Sequence, residues 1–258
     1  MTRRTAAIAG TVTGLCAALA ASAFVARSTA STSEPTAVPI LMYHVITAAP
    51  PGATYPALFV SRPEFAAQMR WLSSHGYQAV TLREVFASWR GQSRLPPRPI
   101  VLTFDDGYRS VHTNALPIFR SHRWSGVLNL TVRNNGGVGG LSTWKIHQLL
   151  AAGWELDSHS LTHPDLTQLA PRELQAQVTG SRRVLQRRFR TRVDFFCYPS
   201  GRYDNGVVAA VKAAGYLGAT TTRHGLARTQ EPYVLARIRV NAGESGVDLG
   251  RKLQTLGA

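Results

Sequence analysis

Short apolar runs alternate with helical patterns along this chain, and the alternation admits few folds. Residues 38–43, 78–80, 100–104, 126–131, 154–158, 193–198, 216–220 and 234–240 are strand-length and rich in β-branched, aliphatic and aromatic types. The helices between them have legible ends. Ser61 and Glu64 form a capping box ahead of Phe65, Met69 and Leu72 at i, i+4, i+7. Thr81 and Glu84 repeat the device, and Ser142 caps a helix carrying Ile146, Leu149 and Leu150 that stops at Gly153. Pro171 starts a helix with Leu174, Val178, Leu185 and Phe189 on one face, and Asn205 opens another that ends near Gly215. Strand–helix alternation predicts an α/β protein with parallel strands and outer helices, either a doubly wound sheet or a barrel.

In both architectures, reactive groups belong at the carboxyl ends of the strands. His44, the adjacent Asp105 and Asp106, His159, and Tyr198 with Pro199 all fall there. Two neighbouring carboxylates resist joint ionisation unless a cation or a proton intervenes. Taken alone, the aspartate pair reads equally as a site or as an acidic turn before Gly107. His159 and His163 are four apart, but Pro164 biases His163 out of the helical region, so His159 is expected at a strand end and His163 in the following loop. Two imidazoles and one carboxylate form a ligand set for a catalytic divalent metal.

Thr103-Phe104-Asp105-Asp106-Gly107-Tyr108, followed by Ser158-His159-Ser160-Leu161-Thr162-His163, resembles the first two motifs of the polysaccharide deacetylases. These are the NodB-homology domains of carbohydrate esterase family 4. Phe195-Phe196-Cys197-Tyr198-Pro199-Ser200-Gly201 sits where that family has its third motif, and the likeness runs from Pro39 to Val240. The resemblance implies a distorted (β/α) barrel of about seven parallel strands, as a single domain over residues 38–258. It implies that Asp106, His159 and His163 hold one divalent metal. Zinc is the default, while cobalt, nickel and iron accept the same donors. Asp105 would then be the general base and the backbone N–H of Ser200 the oxyanion donor. Tyr108, Tyr198, Pro199 and Tyr203 are candidate substrate contacts.

The chain departs from the commoner family pattern at Cys197, where an arginine usually orients the catalytic aspartate. Arg237 is the candidate replacement and Arg202 its rival. No histidine follows His224, whereas Met42-Tyr43-His44 is similar to the circularly permuted poly-N-acetylglucosamine deacetylase branch, which moves the acid to the first strand. That context makes His44 the candidate general acid. Trp124, Trp144 and Trp154 are either sugar platforms or core.

Residues 1–30 carry Arg3 and Arg4 ahead of a long uncharged run, the pattern of a signal peptide or an N-terminal membrane anchor. Residues 31–37 read as a linker. Export leaves Cys197 as the sole cysteine of the mature chain, so no internal disulfide is expected. The net charge of +15 predicts attraction to polyanions such as anionic cell-wall polymers or lipid headgroups, or else simply a solvated basic face. Nucleic acid is not an expected partner, because the basic residues lack interleaved aromatics or a reader motif. The reading is an exported, metal-dependent N-deacetylase of acetylated amino-sugar polysaccharide. An O-acetyl esterase on xylan-like polymers and a non-catalytic wall-binding module are its alternatives.

Overall fold

The computed structural model describes residues 37–258. The expected signal or anchor segment, Cys16 and most of the linker lie outside them. The strands are β1 (Ala37–Val38), β2 (Ile40–Tyr43), β3 (Gln78–Val80), β4 (Pro99–Asp106), β5 (Val127–Leu130), β6 (Glu155–Ser158), β7 (Phe195–Cys197), β8 (Gly218–His224), β9 (Ala227–Arg228) and β10 (Leu235–Arg239). The helices are α1 (Arg62–Ser74), α2 (Leu82–Trp89), α3 (Leu116–His122), α4 (Thr143–Ala151), α5 (Pro171–Gln175), α6 (Ser181–Phe189), α7 (Asn205–Ala213) and α8 (Gly246–Thr255). Among these residues no helix is long and apolar enough to cross a membrane.

Parallel pairing runs β2-β10-β8-β7-β6-β5-β4, and β4 pairs back to β2, closing a seven-stranded barrel. Val101 pairs with both Ile40 and Val80, which puts β3 on the edge of β4 opposite β2; β5 takes over that edge from Thr103 onward. The expected run at 38–43 breaks at Pro39, and Ala37, placed in the linker from sequence, already pairs with Arg228.

Strand alternation sorts the side chains. On β4, Ile100, Leu102 and Phe104 face the helices, where Phe104 lies 5.6 Å from the Phe119 ring and 5.1 Å from Trp154. Trp154 is therefore core. Inside the barrel, Ile40, Val101, Val127, Phe195 and Leu235 form an apolar plug at the amino end, packed with Val85 and Phe86 of α2. Above this plug the interior turns polar, with Thr103, Asp105, Asn129, Asp157 and Arg237 all buried. The fold thus closes the bottom of the barrel and leaves its carboxyl end for chemistry.

The capping boxes at Ser61–Glu64 and Thr81–Glu84 form with both reciprocal bonds. α7 opens at Asn205 as expected, and Asp204 caps it by accepting from the Val207 N–H at 2.8 Å. The helix expected from Pro171 to Phe189 runs through five residues of π geometry, Ala176–Gly180, between α5 and α6. The terminal helix α8, capped by Ser245 and Asp248, docks on α1.

Candidate active site

The expected strand at 100–104 extends through both aspartates, because Asp105 and Asp106 still pair with Asn129 and Leu130 of β5. Asp105 therefore points into the barrel. Asp106, with φ of 72°, turns away from the strand, and Gly107 follows at φ of 91°, where a Cβ would lie 2.3 Å from Leu130 Cδ1. A non-glycine residue in the left-handed region is strained, and such strain persists where the surroundings impose it. Here it divides two adjacent carboxylates between two environments.

Asp105 is 1 % exposed. Its Oδ1 accepts from Asn129 Nδ2 at 2.7 Å and Arg237 Nη1 at 2.9 Å, and its Oδ2 accepts from Arg237 Nη2 at 2.8 Å. Arg237 is itself buried, and donates further to the Thr221 carbonyl at 2.7 Å and Thr103 Oγ1 at 3.0 Å. Burial alone would push the Asp105 carboxyl up, but the Arg237 charge, with His44 nearby, outweighs it and holds the group well below the usual carboxylate range. Cys197 completes the cluster, with Sγ 3.3 Å from Arg237 Nη2 and 3.6 Å from Asp105 Oδ2; burial pushes its thiol pKa up and keeps it protonated. Arg202 is elsewhere, paired with Asp165 at the surface.

Asp106 Oδ1 lies 3.6 Å from His159 Nε2 and 3.7 Å from His163 Nε2, and the three ligand atoms lie within 4.8 Å of one another. His159 follows the end of β6 and its Nδ1 lies 2.7 Å from the Cys197 carbonyl. That bond makes Nδ1 the donor and leaves the Nε2 lone pair free for a metal. Ser160 and His163 both adopt positive φ, 66° and 62°. Gln177 pins the loop between them by accepting from the Leu161 and Thr162 N–H groups, each at 3.0 Å. Burial and the neighbouring His159 lower the His163 pKa, so it presents a neutral imidazole. A second clustering, Asp105 with His159 and Cys197, also has metal-ligand spacing. It is a poorer fit, since Arg237 occupies both Asp105 oxygens and the thiol stays protonated. The donors of Asp106, His159 and His163 fit a divalent cation of the zinc type.

His44 follows β2, with Nε2 3.8 Å from Asp105 Oδ2. Burial lowers its pKa, partly offset by Asp105 and Asp106. These groups share a cavity of about 880 Å³ at the carboxyl end of the barrel, which Ser200 also lines from a left-handed conformation (φ 54°). Tyr108 lines it too, its pKa raised by burial and by Asp106. Tyr198 is buried, lines the cavity and donates its hydroxyl to the Tyr233 carbonyl at 3.0 Å, so it presents no free polar side-chain group; Pro199, expected as a contact, is buried and outside the lining. Tyr203 stacks on the Tyr198 ring 5.0 Å away, outside the lining. Trp124 packs on Phe119.

Sequence reasoning missed several residues of the site. Asn129, a lone amide in an otherwise apolar strand, was its most readable omission. Arg133 and Arg239 line the cavity, and so does Tyr55, a ring 68 % exposed at its rim; Arg239 lies in the stretch 235–240 where the likeness ends, while Arg133 and Tyr55 belong to no motif.

The chain is similar to known proteins of one family. A family model described as polysaccharide deacetylase matches residues 92–219. YxkH of Bacillus subtilis, named for the same family, is 28% identical over 87% of this chain and 79% of its own length. A poly-beta-1,6-N-acetyl-D-glucosamine N-deacetylase of Staphylococcus aureus is 22% identical over 70% of this chain and 68% of its own. Among solved structures, the Streptococcus pyogenes deacetylase PplD in complex with acetate aligns with a TM-score of 0.79 at 25% identity, covering 86% of this chain and 99% of that one.

Proposed function

The chain belongs to the polysaccharide deacetylase family of hydrolases, and on that premise we propose that it is an exported, metal-dependent enzyme removing acetyl groups from N-acetylated amino-sugar polymers. One observation carries the reading: Asp106, His159 and His163 converge beside an Asp105 that Arg237 holds ionised, all in one open cavity. Asp106, His159 and His163 would hold one divalent cation, with zinc the default for these donors, and when bound it would supply Lewis acidity at the acetamide oxygen and acidify water. Asp105 accepts the proton from the attacking water, and Arg237 and Asn129 fix which way its oxygens point. The backbone N–H of Ser200 donates to the developing oxyanion, a contribution of about 3 kcal/mol for one such donor. His44, 3.8 Å from Asp105, passes a proton to the departing amine, so that the C–N bond breaks to free amine and acetate. Tyr108, which lines the cavity, contacts the sugar in this reading.

The N-terminal segment directs export, and the basic surface favours residence near anionic wall polymers. Acetate release from poly-N-acetylglucosamine, chitin oligosaccharides, peptidoglycan and acetyl-xylan, with and without a chelator, tests the reading. Release from the amino-sugar polymers that stops on chelation is expected. Release from acetyl-xylan alone would make the enzyme an ester hydrolase, and no release from any polymer would make the chain a binding module.

A further inference from the structure

The charge of the catalytic cavity is unbalanced. Its lining contains two carboxylates, Asp105 and Asp106, against three arginines, Arg133, Arg237 and Arg239. Asp105 is taken by Arg237 and Asp106 is turned to the histidine pair. Arg133 and Arg239 are left with no carboxylate within ion-pair distance among the described residues.

Strand geometry says where Arg239 points. Arg237 and Arg239 are i and i+2 on β10 and share its inward face, one layer apart. Arg237 lies deep and fully buried, while Arg239 stands half-buried one layer nearer the mouth. Arg133 comes from the turn after β5, whose backbone is tied to the histidine loop by the Arg133 N–H donating to the Leu161 carbonyl at 2.9 Å. Two guanidinium groups thus line one opening from separate elements. Many surface arginines of this basic chain also lack a carboxylate partner; what sets Arg133 and Arg239 apart is that both line the catalytic cavity. Arg239 is half-buried and so partly shielded from water without a counter-ion, while Arg133 is exposed at the rim; an anion entering the cavity would meet both charges.

We infer that Arg133 and Arg239 form an anion-binding subsite at the mouth of the cavity, selecting acetylated amino-sugar glycans that carry a carboxylate or phosphate close to the reacting sugar. The inference rests on the deacetylase reading given above. Guanidinium groups suit both anions, because their paired N–H donors match two oxygens at once. The subsite also acts on the product. Deacetylation leaves an ammonium group, which two unpaired arginines repel, so glycans already rich in free amine are poor substrates.

The test uses three N-acetylated oligosaccharides of equal length, one neutral, one bearing a carboxylate and one bearing a phosphate monoester. The metal-loaded protein should show kcat/KM roughly tenfold higher on at least one anionic member than on the neutral one at low salt, with the advantage shrinking as ionic strength rises. The carboxylate and phosphate arms identify which anion is preferred. In Arg239→Gln and Arg133→Gln the anionic-to-neutral ratio should fall toward parity, chiefly through KM. The ratio is internal to each variant, so partial loss of folded protein cancels. Calorimetric binding of the same oligosaccharides reads the preference without turnover. A protein that releases no acetate yet keeps the preference overturns the deacetylase reading and leaves the subsite standing. Equal kcat/KM and equal affinity on all three, unchanged in both variants, would overturn the subsite.

Discussion

Arg237 grips both oxygens of Asp105, at 2.9 and 2.8 Å, from β10, the last strand of the barrel, to β4. The family's more usual orienting arginine would come from position 197 on β7, where this chain has a cysteine. Because β10 enters the barrel on the far side of β8 from β7, the guanidinium reaches the same carboxylate from another direction, passing Cys197 Sγ at 3.3 Å. A small thiol at 197 leaves room for that approach.

Replacing Arg237 by Gln leaves a buried carboxylate without its counter-ion. We expect a loss of about 3–5 kcal/mol of stability, read as a lower denaturant midpoint. Asp105→Asn combined with Arg237→Gln should recover part of it, since no charge then remains buried. An unchanged midpoint in the single variant would show that the pair does not hold the barrel interior together.

Asp105 and the histidines should separate in their metal content. Asp105→Asn is expected to abolish acetate release while the purified protein retains about one equivalent of divalent metal, because Asp105 lies outside the ligand set. His159→Ala should lose the metal along with activity. Metal analysis of both variants checks the division, and metal retained in His159→Ala would contradict the ligand assignment.

His44 is expected to act on the leaving group. His44→Ala should slow release of acetate from an acetamide by about 100-fold or more. An aryl acetate, whose leaving group needs no proton, should lose far less. Equal losses on amide and aryl ester would place the proton donor elsewhere.

Inside the barrel, Glu155 and Asp157 share the inward face of β6, both buried. Glu155 Oε2 accepts from the Arg83 N–H and Asp157 Oδ1 from the Phe195 N–H, each at 3.0 Å. Glu155 Oε1 and Asp157 Oδ2 are left without another partner, placed to share one proton. Burial, with Glu155 adding to it, raises the Asp157 pKa well above its ordinary value. In the unfolded chain Asp157 ionises near pH 4, whereas the folded pair keeps its proton to much higher pH. Stability from this group is therefore complete at acid pH and falls as pH rises toward the folded pKa, by at most about 1.4 kcal/mol per pH unit. Asp157→Asn mimics the protonated form and should flatten that slope, so that the variant is relatively more stable at pH 8 than at pH 5. Parallel wild-type and variant stability curves across that range would mean that Asp157 ionises normally.

Much of this protein was legible in its sequence. Alternating apolar runs and capped helices predicted parallel strands with outer helices, because a 3.6-residue period, a 2-residue period and a helix cap are local properties. The resemblance carried by Asp105-Asp106 and by His159 with His163 then pointed to the barrel and to a metal-centred site at its open end. Tertiary structure decided what each group faces. Asp105 and Asp106 are neighbours in sequence, yet one is sealed against Arg237, 132 residues away, and the other is turned to the histidines by a positive φ. Asn129, Arg133 and Tyr55 join the site through strand register and loop path alone, with no motif to mark them. Those contacts cross the barrel, so they exist once its seven strands have closed and fixed their register, and no local stretch of sequence encodes that closure.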